Sequence, residues 1–149
     1  MIRPILLSLA CLASLAADIG EVRTVYLMPM TGGLDQFLAN RLAEAKLMQV
    51  VADPKRADAY FTDRLGEAFE KRLQDLATTE EEKAKKKDDR EVRPYMSGTS
   101  RGNIFLVDSK TRQVLWSAYE RPRRSAPDEL DRTADRIVKR LKRELQPSK

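Results

Sequence analysis

Apolar and polar positions alternate with two different periods along this chain. Val22-Arg23-Thr24-Val25-Tyr26-Leu27-Met28-Pro29-Met30 alternates and then turns solidly apolar, which predicts a strand running into a core and ended by Pro29. Thr31-Gly32-Gly33 predicts a turn and helix cap, with Thr31 as the capping side chain. Leu34, Phe37, Leu38, Leu42 and Ala45 then recur at helical spacing, ending near Lys46. Met48–Val51 and Ala57–Asp63 read as two further strands, separated by the turn former Asp53-Pro54. Leu65, Phe69, Leu73 and Leu76 mark a second, shorter helix.

The most strand-like stretch runs from Gly102 to Pro122. Asn103–Val107 and Val114–Tyr119 are rich in β-branched and aromatic residues, and Asp108-Ser109-Lys110-Thr111-Arg112 between them supplies turn chemistry. Together they predict a β-hairpin. Trp116, the only tryptophan, is expected in the core, with Val114 and Ala118 on its face of the strand. Beyond it, Leu130, Ala134, Ile137, Val138, Leu141 and Leu145 form one stripe of a terminal helix, with Ser125 expected as its cap and Pro127 in its first turn. The expected fold is therefore α/β (α+β): a mixed β-sheet with a C-terminal β-hairpin and amphipathic helices packed on it, in one domain spanning residues 21–146.

Two segments break these periods. Met1-Ile2-Arg3 followed by the apolar run Pro4–Leu15 and the small residues Ala16-Ala17 reads as a signal peptide over residues 1–17. The run is shorter than the roughly 20 residues a spanning helix needs. Glu80–Glu91 is charged at every position except Ala84, so a charged flexible insertion is expected at about 78–93.

Composition narrows the chemistry. The 149 residues contain no histidine, which removes Ser-His-Asp and Cys-His catalysis and any His-ligated metal. No catalytic, cofactor-binding or metal motif is present, and none is expected. The single cysteine, Cys11, lies in the signal-like segment; the alternative it leaves is a lipid anchor. The net charge of +5 is concentrated at the C-terminal end, where residues 112–149 hold 11 Lys/Arg against 6 Asp/Glu. Arg132, Arg136, Lys139, Arg140 and Arg143 make a basic face on the terminal helix, open to a partner. Cations in its last turn also complement the helix dipole, so the face has a structural reading too.

Ala57-Asp58-Ala59 opening a strand, Leu106-Val107-Asp108 before the turn and Val114-Leu115-Trp116-Ser117 after it carry a resemblance. Over about residues 22–64 and 102–145 the chain resembles a group of small bacterial envelope domains that includes the amino-terminal domain of TolB, CsgG and LpoB. The resemblance implies a mixed sheet with packed helices, and work by protein contact in the envelope. The leading expectation is an exported, periplasmic or envelope-associated, non-enzymatic protein that binds other envelope proteins. The alternatives are a small-ligand binder or enzyme without a recognisable motif, and electrostatic binding of anionic lipid or nucleic acid through the basic helix. Nucleic acid ranks last, because no pair of stacking aromatics accompanies the cations.

The exported protein is expected to begin at Ala17 or Asp18 and to carry no lipid. Intact mass of the protein recovered from the producing cell checks this, and a diacyl adduct on Cys11 would overturn it.

Overall fold

Ala59–Thr62 is buried at all four positions, and the fold is built outward from it. A computed structural model describes residues 18–78 and 102–146; the expected signal peptide and nearly all of the charged insertion lie outside them. The elements are β1 (Thr24–Leu27), α1 (Leu34–Ala45), β2 (Gln49–Val50), β3 (Ala59–Thr62), α2 (Glu67–Ala77), β4 (Asn103–Asp108), β5 (Val114–Tyr119) and α3 (Pro127–Leu145). The sheet order is β2-β1-β3-β4-β5. β1 pairs parallel with β2 and β3, whereas β3–β4 and β4–β5 are antiparallel. This is a mixed five-stranded sheet carrying three helices, a single α+β domain. The antiparallel β4–β5 pair is followed by the 19-residue α3, so that pair is not the last of the described elements.

The period of two in β3 feeds two cores. Ala59 and Phe61 join Val25, Ile104 and Leu106 under α1 and α3, whose Leu38, Leu42, Ile137 and Leu141 are fully buried. Tyr60 turns to the other face, where Phe69 and Leu73 of α2 close a smaller core with Met28 and Val107. Tyr60 meets Tyr26 and Phe69 edge-on, at centroid separations of 6.4 and 6.3 Å.

Polar side chains lock the ends of these elements. Asp58 Oδ2 accepts the backbone N–H groups of Arg23 and Thr24, both at 2.9 Å, tying the start of β3 to the start of β1. Asp108 closes the β4–β5 turn by accepting from Lys110 N at 3.0 Å and from Thr111 N at 2.6 Å. Burial pushes both carboxyls up. The hydrogen bonds they accept, aided by the charge of Lys110, outweigh it and hold both below the usual aspartate value. Across the first core, Arg41 of α1 forks onto Asp131 of α3 through Nε at 2.9 Å and through Nη2. That bidentate bond raises the Arg41 guanidinium and lowers the Asp131 carboxyl.

Three local expectations are corrected. α1 is capped by Gly33 in a left-handed conformation; the Thr31 hydroxyl instead donates to Asp63 Oδ2 at 2.9 Å. The cap of α3 is Ala126, without a side-chain bond, and Pro127 pre-sets the first turn in place of a Ser125 cap. Trp116 is only partly buried, because β5 is an edge strand. A register shift between Leu106 and Val107 pairs Val107 with Val114, which moves Val114 off the Trp116 face.

Phe61→Ala is expected to cost about 3–5 kcal/mol in urea unfolding, and Trp116→Ala clearly less, since only the first is fully enclosed. The lowered carboxyls set a pH dependence. Their contribution is complete above the unfolded value of about 3.9 and is lost as pH falls through the lower folded values. Thermal melts between pH 6 and 2.5 should show stability falling below about pH 4, and falling less steeply in Asp58→Asn and Asp108→Asn.

Candidate functional site

β5 has a hydrogen-bonded neighbour on one side only among the described residues. Glu120 N donates to Gly102 O at 2.8 Å, which makes Gly102–Glu120 a bonded pair. Counting back in the same register, Ile104–Ala118 and Leu106–Trp116 are bonded as well. Ser117 and Tyr119 therefore turn their N–H and C=O groups away from the sheet. The close approach needed at Gly102 is available only to glycine: it has φ +92°, and a Cβ there would lie 2.8 Å from Arg121 Cα. Along this edge Val114 is 46% exposed and Tyr119 56%, while Leu115 and Trp116 pack partly against the first core.

α3 runs beside the edge and supplies the cations. Arg140 Nη1 donates to the outward carbonyl of Tyr119 at 3.2 Å and to Glu120 Oε1 at 3.0 Å. Arg136 Nε reaches Glu120 Oε2 at 3.1 Å, and its Nη2 lies 3.5 Å from Glu129 Oε1. Glu120 is thus gripped by two guanidiniums and joins the end of β5 to α3. Of the other residues of the expected basic face, Lys139 pairs with Asp135 at 2.7 Å and Arg132 with Asp128 at 3.8 Å. Arg143 stands on the Arg136–Arg140 stripe one turn further on and has no ion pair among the described residues. Arg121, Arg123 and Arg124, in the connector that follows β5, are exposed and their guanidiniums are likewise unpaired among the described residues. Sequence reasoning placed the arginines but missed Glu120. Its signal was there: it is the one acid between β5 and the run Arg121-Pro122-Arg123-Arg124.

A second feature lies at the carboxyl ends of β1 and β3. A cleft of about 460 Å³ is bounded by Met30, Thr31, Leu34, Asp63, Arg121 and Leu130. Asp63, whose side chain is 2% exposed, spends one oxygen on Thr31 N and Oγ1, both at 2.9 Å. Its other oxygen lies 3.6 Å from Arg72 Nη1, which also donates to Pro29 O at 2.7 Å. The carboxylate is a clasp between the β1–α1 loop and α2, with its charge balanced inside the fold. Among the described residues no three His, Cys, Asp or Glu gather as a metal site, and no helix is long and apolar enough to cross a membrane. The chain matches no protein-family model, no curated protein and no solved structure.

Glu120→Gln should lower stability by on the order of 1 kcal/mol in urea unfolding, because it removes the shared anion of two half-exposed arginines. The loss should shrink when the salt is raised to about 1 M, where the screening length drops to about 3 Å.

Proposed function

We propose that this protein is a non-enzymatic binding domain that acts by contact with another protein, and that the open edge of β5 is the contact surface. One observation carries the reading: a six-residue edge strand with outward backbone groups at Ser117 and Tyr119 and exposed apolar side chains at Val114 and Tyr119. An extended segment of a partner adding to such an edge gains main-chain hydrogen bonds for affinity and alternate side-chain contacts for specificity. Asp63, the carboxylate that lines the cleft, is held by Thr31 and lies against Arg72, which supports a structural role for it. The signal-like N-terminus supports an envelope setting, with other envelope proteins as the partners. A second reading has its own observation: the cleft at the carboxyl ends of β1 and β3 is of a size that suits a small ligand.

The test is site-specific photocrosslinking in the native envelope fraction, with the probe at Tyr119 or, as control, at Gln74 on α2. A defined adduct from Tyr119 that is lost in Ser117→Pro is expected, since proline removes the outward N–H while an edge strand tolerates it. Equal crosslinking by wild type and Ser117→Pro, with both folded by circular dichroism, would refute the edge as the contact surface.

A further inference from the structure

Resting on the edge-strand reading, we infer the chemistry of the segment that β5 receives: an extended acidic peptide, carrying Asp or Glu on the alternate side chains that stand on the α3 face of the sheet and apolar residues on the other face. The reason is the charge around the edge. Arg140 sits on it, bonded to the carbonyl of Tyr119. Arg143 continues the same helix stripe, and Arg121, Arg123 and Arg124 extend from the C-terminal end of the strand, exposed. Lys110 stands at its N-terminal end, whereas Arg112 is turned back to Glu70 of α2, 3.9 Å away, and over the Tyr60 ring. The nearest carboxylate, Glu120, is already shared by Arg136 and Arg140. The C-terminal end of the edge and its α3 flank therefore carry more cations than acids, with Glu144 the exposed acid beside Arg143.

This pattern disfavours a second copy as the occupant. Two β5 edges brought together antiparallel would bring Lys110 of one chain near Arg121, Arg123 and Arg124 of the other, and like charges opposed across a strand pair are unfavourable. An acidic strand meets the reverse situation. Its backbone bonds Ser117, while its carboxylates reach Arg143 and the connector arginines. Partly desolvated pairs of this kind steer association and choose the partner. The contact surface also carries its own reporter, because Trp116, the only tryptophan, lies in the strand.

The experiment uses the mature protein and three blocked ten-residue peptides. One alternates Glu with Val or Ile, one has Lys in place of every Glu, and one is the acidic peptide N-methylated at every second residue. Binding is read by Trp116 fluorescence, and hydrogen exchange reads the amides of Ser117 and Tyr119. The acidic peptide should bind, shift the Trp116 emission and protect both amides. Its affinity should fall at least about tenfold between low salt and roughly 0.3 M salt as screening grows. Arg143→Glu combined with Arg124→Glu should abolish the preference for the acidic peptide, and the Lys and N-methylated peptides should not bind.

Several results would overturn the inference. These are equal binding of the Glu and Lys peptides, no binding at millimolar concentration, binding to anionic vesicles that competes with the acidic peptide, or dimerisation in sedimentation through β5. Ser117 and Tyr119 amides that are protected in the free protein and released by deleting residues 79–101 would assign the edge to the chain's own segment, and would also overturn it. Failure of the acidic preference while Ser117→Pro still removes the Tyr119 crosslink would leave the edge reading standing. Failure of that crosslink result removes the edge reading itself.

Discussion

Burying β3 on both faces is the constraint from which the rest of the structure follows. Four residues with no exposed side must be roofed twice, so helices are needed on each face of the sheet. α1 and α3 together roof the larger face and α2 the smaller one. A central strand this short cannot hold its neighbours by ladder bonds alone. Side-chain clasps take over at the strand ends. Asp58 fixes β3 to β1, Asp108 holds the β4–β5 turn beside them, and Asp63 ties the exit of β3 to the loop before α1 and to α2. Each of these aspartates accepts two or more hydrogen bonds, which is what makes a charged group affordable so near a core.

At the far side of the sheet the same logic produces the surface. β5 has no roof of its own beyond the partial packing of Leu115 and Trp116, and it is held to α3 by Glu120. The two arginines on Glu120 therefore serve the fold first. Arg140 adds a bond to the outward carbonyl of Tyr119, the position an incoming strand would take, and so fills one acceptor of an otherwise open edge. Of the basic helix face, Arg136 and Arg140 are engaged within the fold by Glu120, while Arg143 and the connector arginines have no ion pair among the described residues.

Most of this architecture was legible in the pattern of apolar positions. The periods of two and 3.6 located the five strands and three helices of the described residues, because burial on one or both faces is what those periods record. Less legible were the features set by tertiary geometry. Thr31 and Ser125 have the composition of caps, yet the Thr31 hydroxyl is claimed by Asp63 across the sheet, and α3 starts on Pro127 without a side-chain cap. Trp116 was placed in the core because apolar Val114 and Ala118 were read on its face of the strand; its position on an edge strand, which composition does not encode, decided otherwise. The register shift that turns Val114 to the other face cannot be read from alternation, since a bulge is a departure from alternation. The basic face was visible as a stripe, but its partners were not, because Glu120 lies outside the helix and 16 residues before Arg136.

An open edge strand is a hazard, and the way this one is managed bears on what it is for. Proteins that must keep an edge unpaired blunt it with bulges, charges or very short strands. At the opposite edge β2 is only two residues long, which suffices to prevent pairing there. β5 is three times as long and carries a bulge only near its start, leaving Trp116–Tyr119 regular. What flanks it is charge, in the cations of the connector at its C-terminal end and along α3. Steric protection rejects every strand alike, whereas protection by a single sign of charge rejects only those that carry the same sign, including a second copy of this chain.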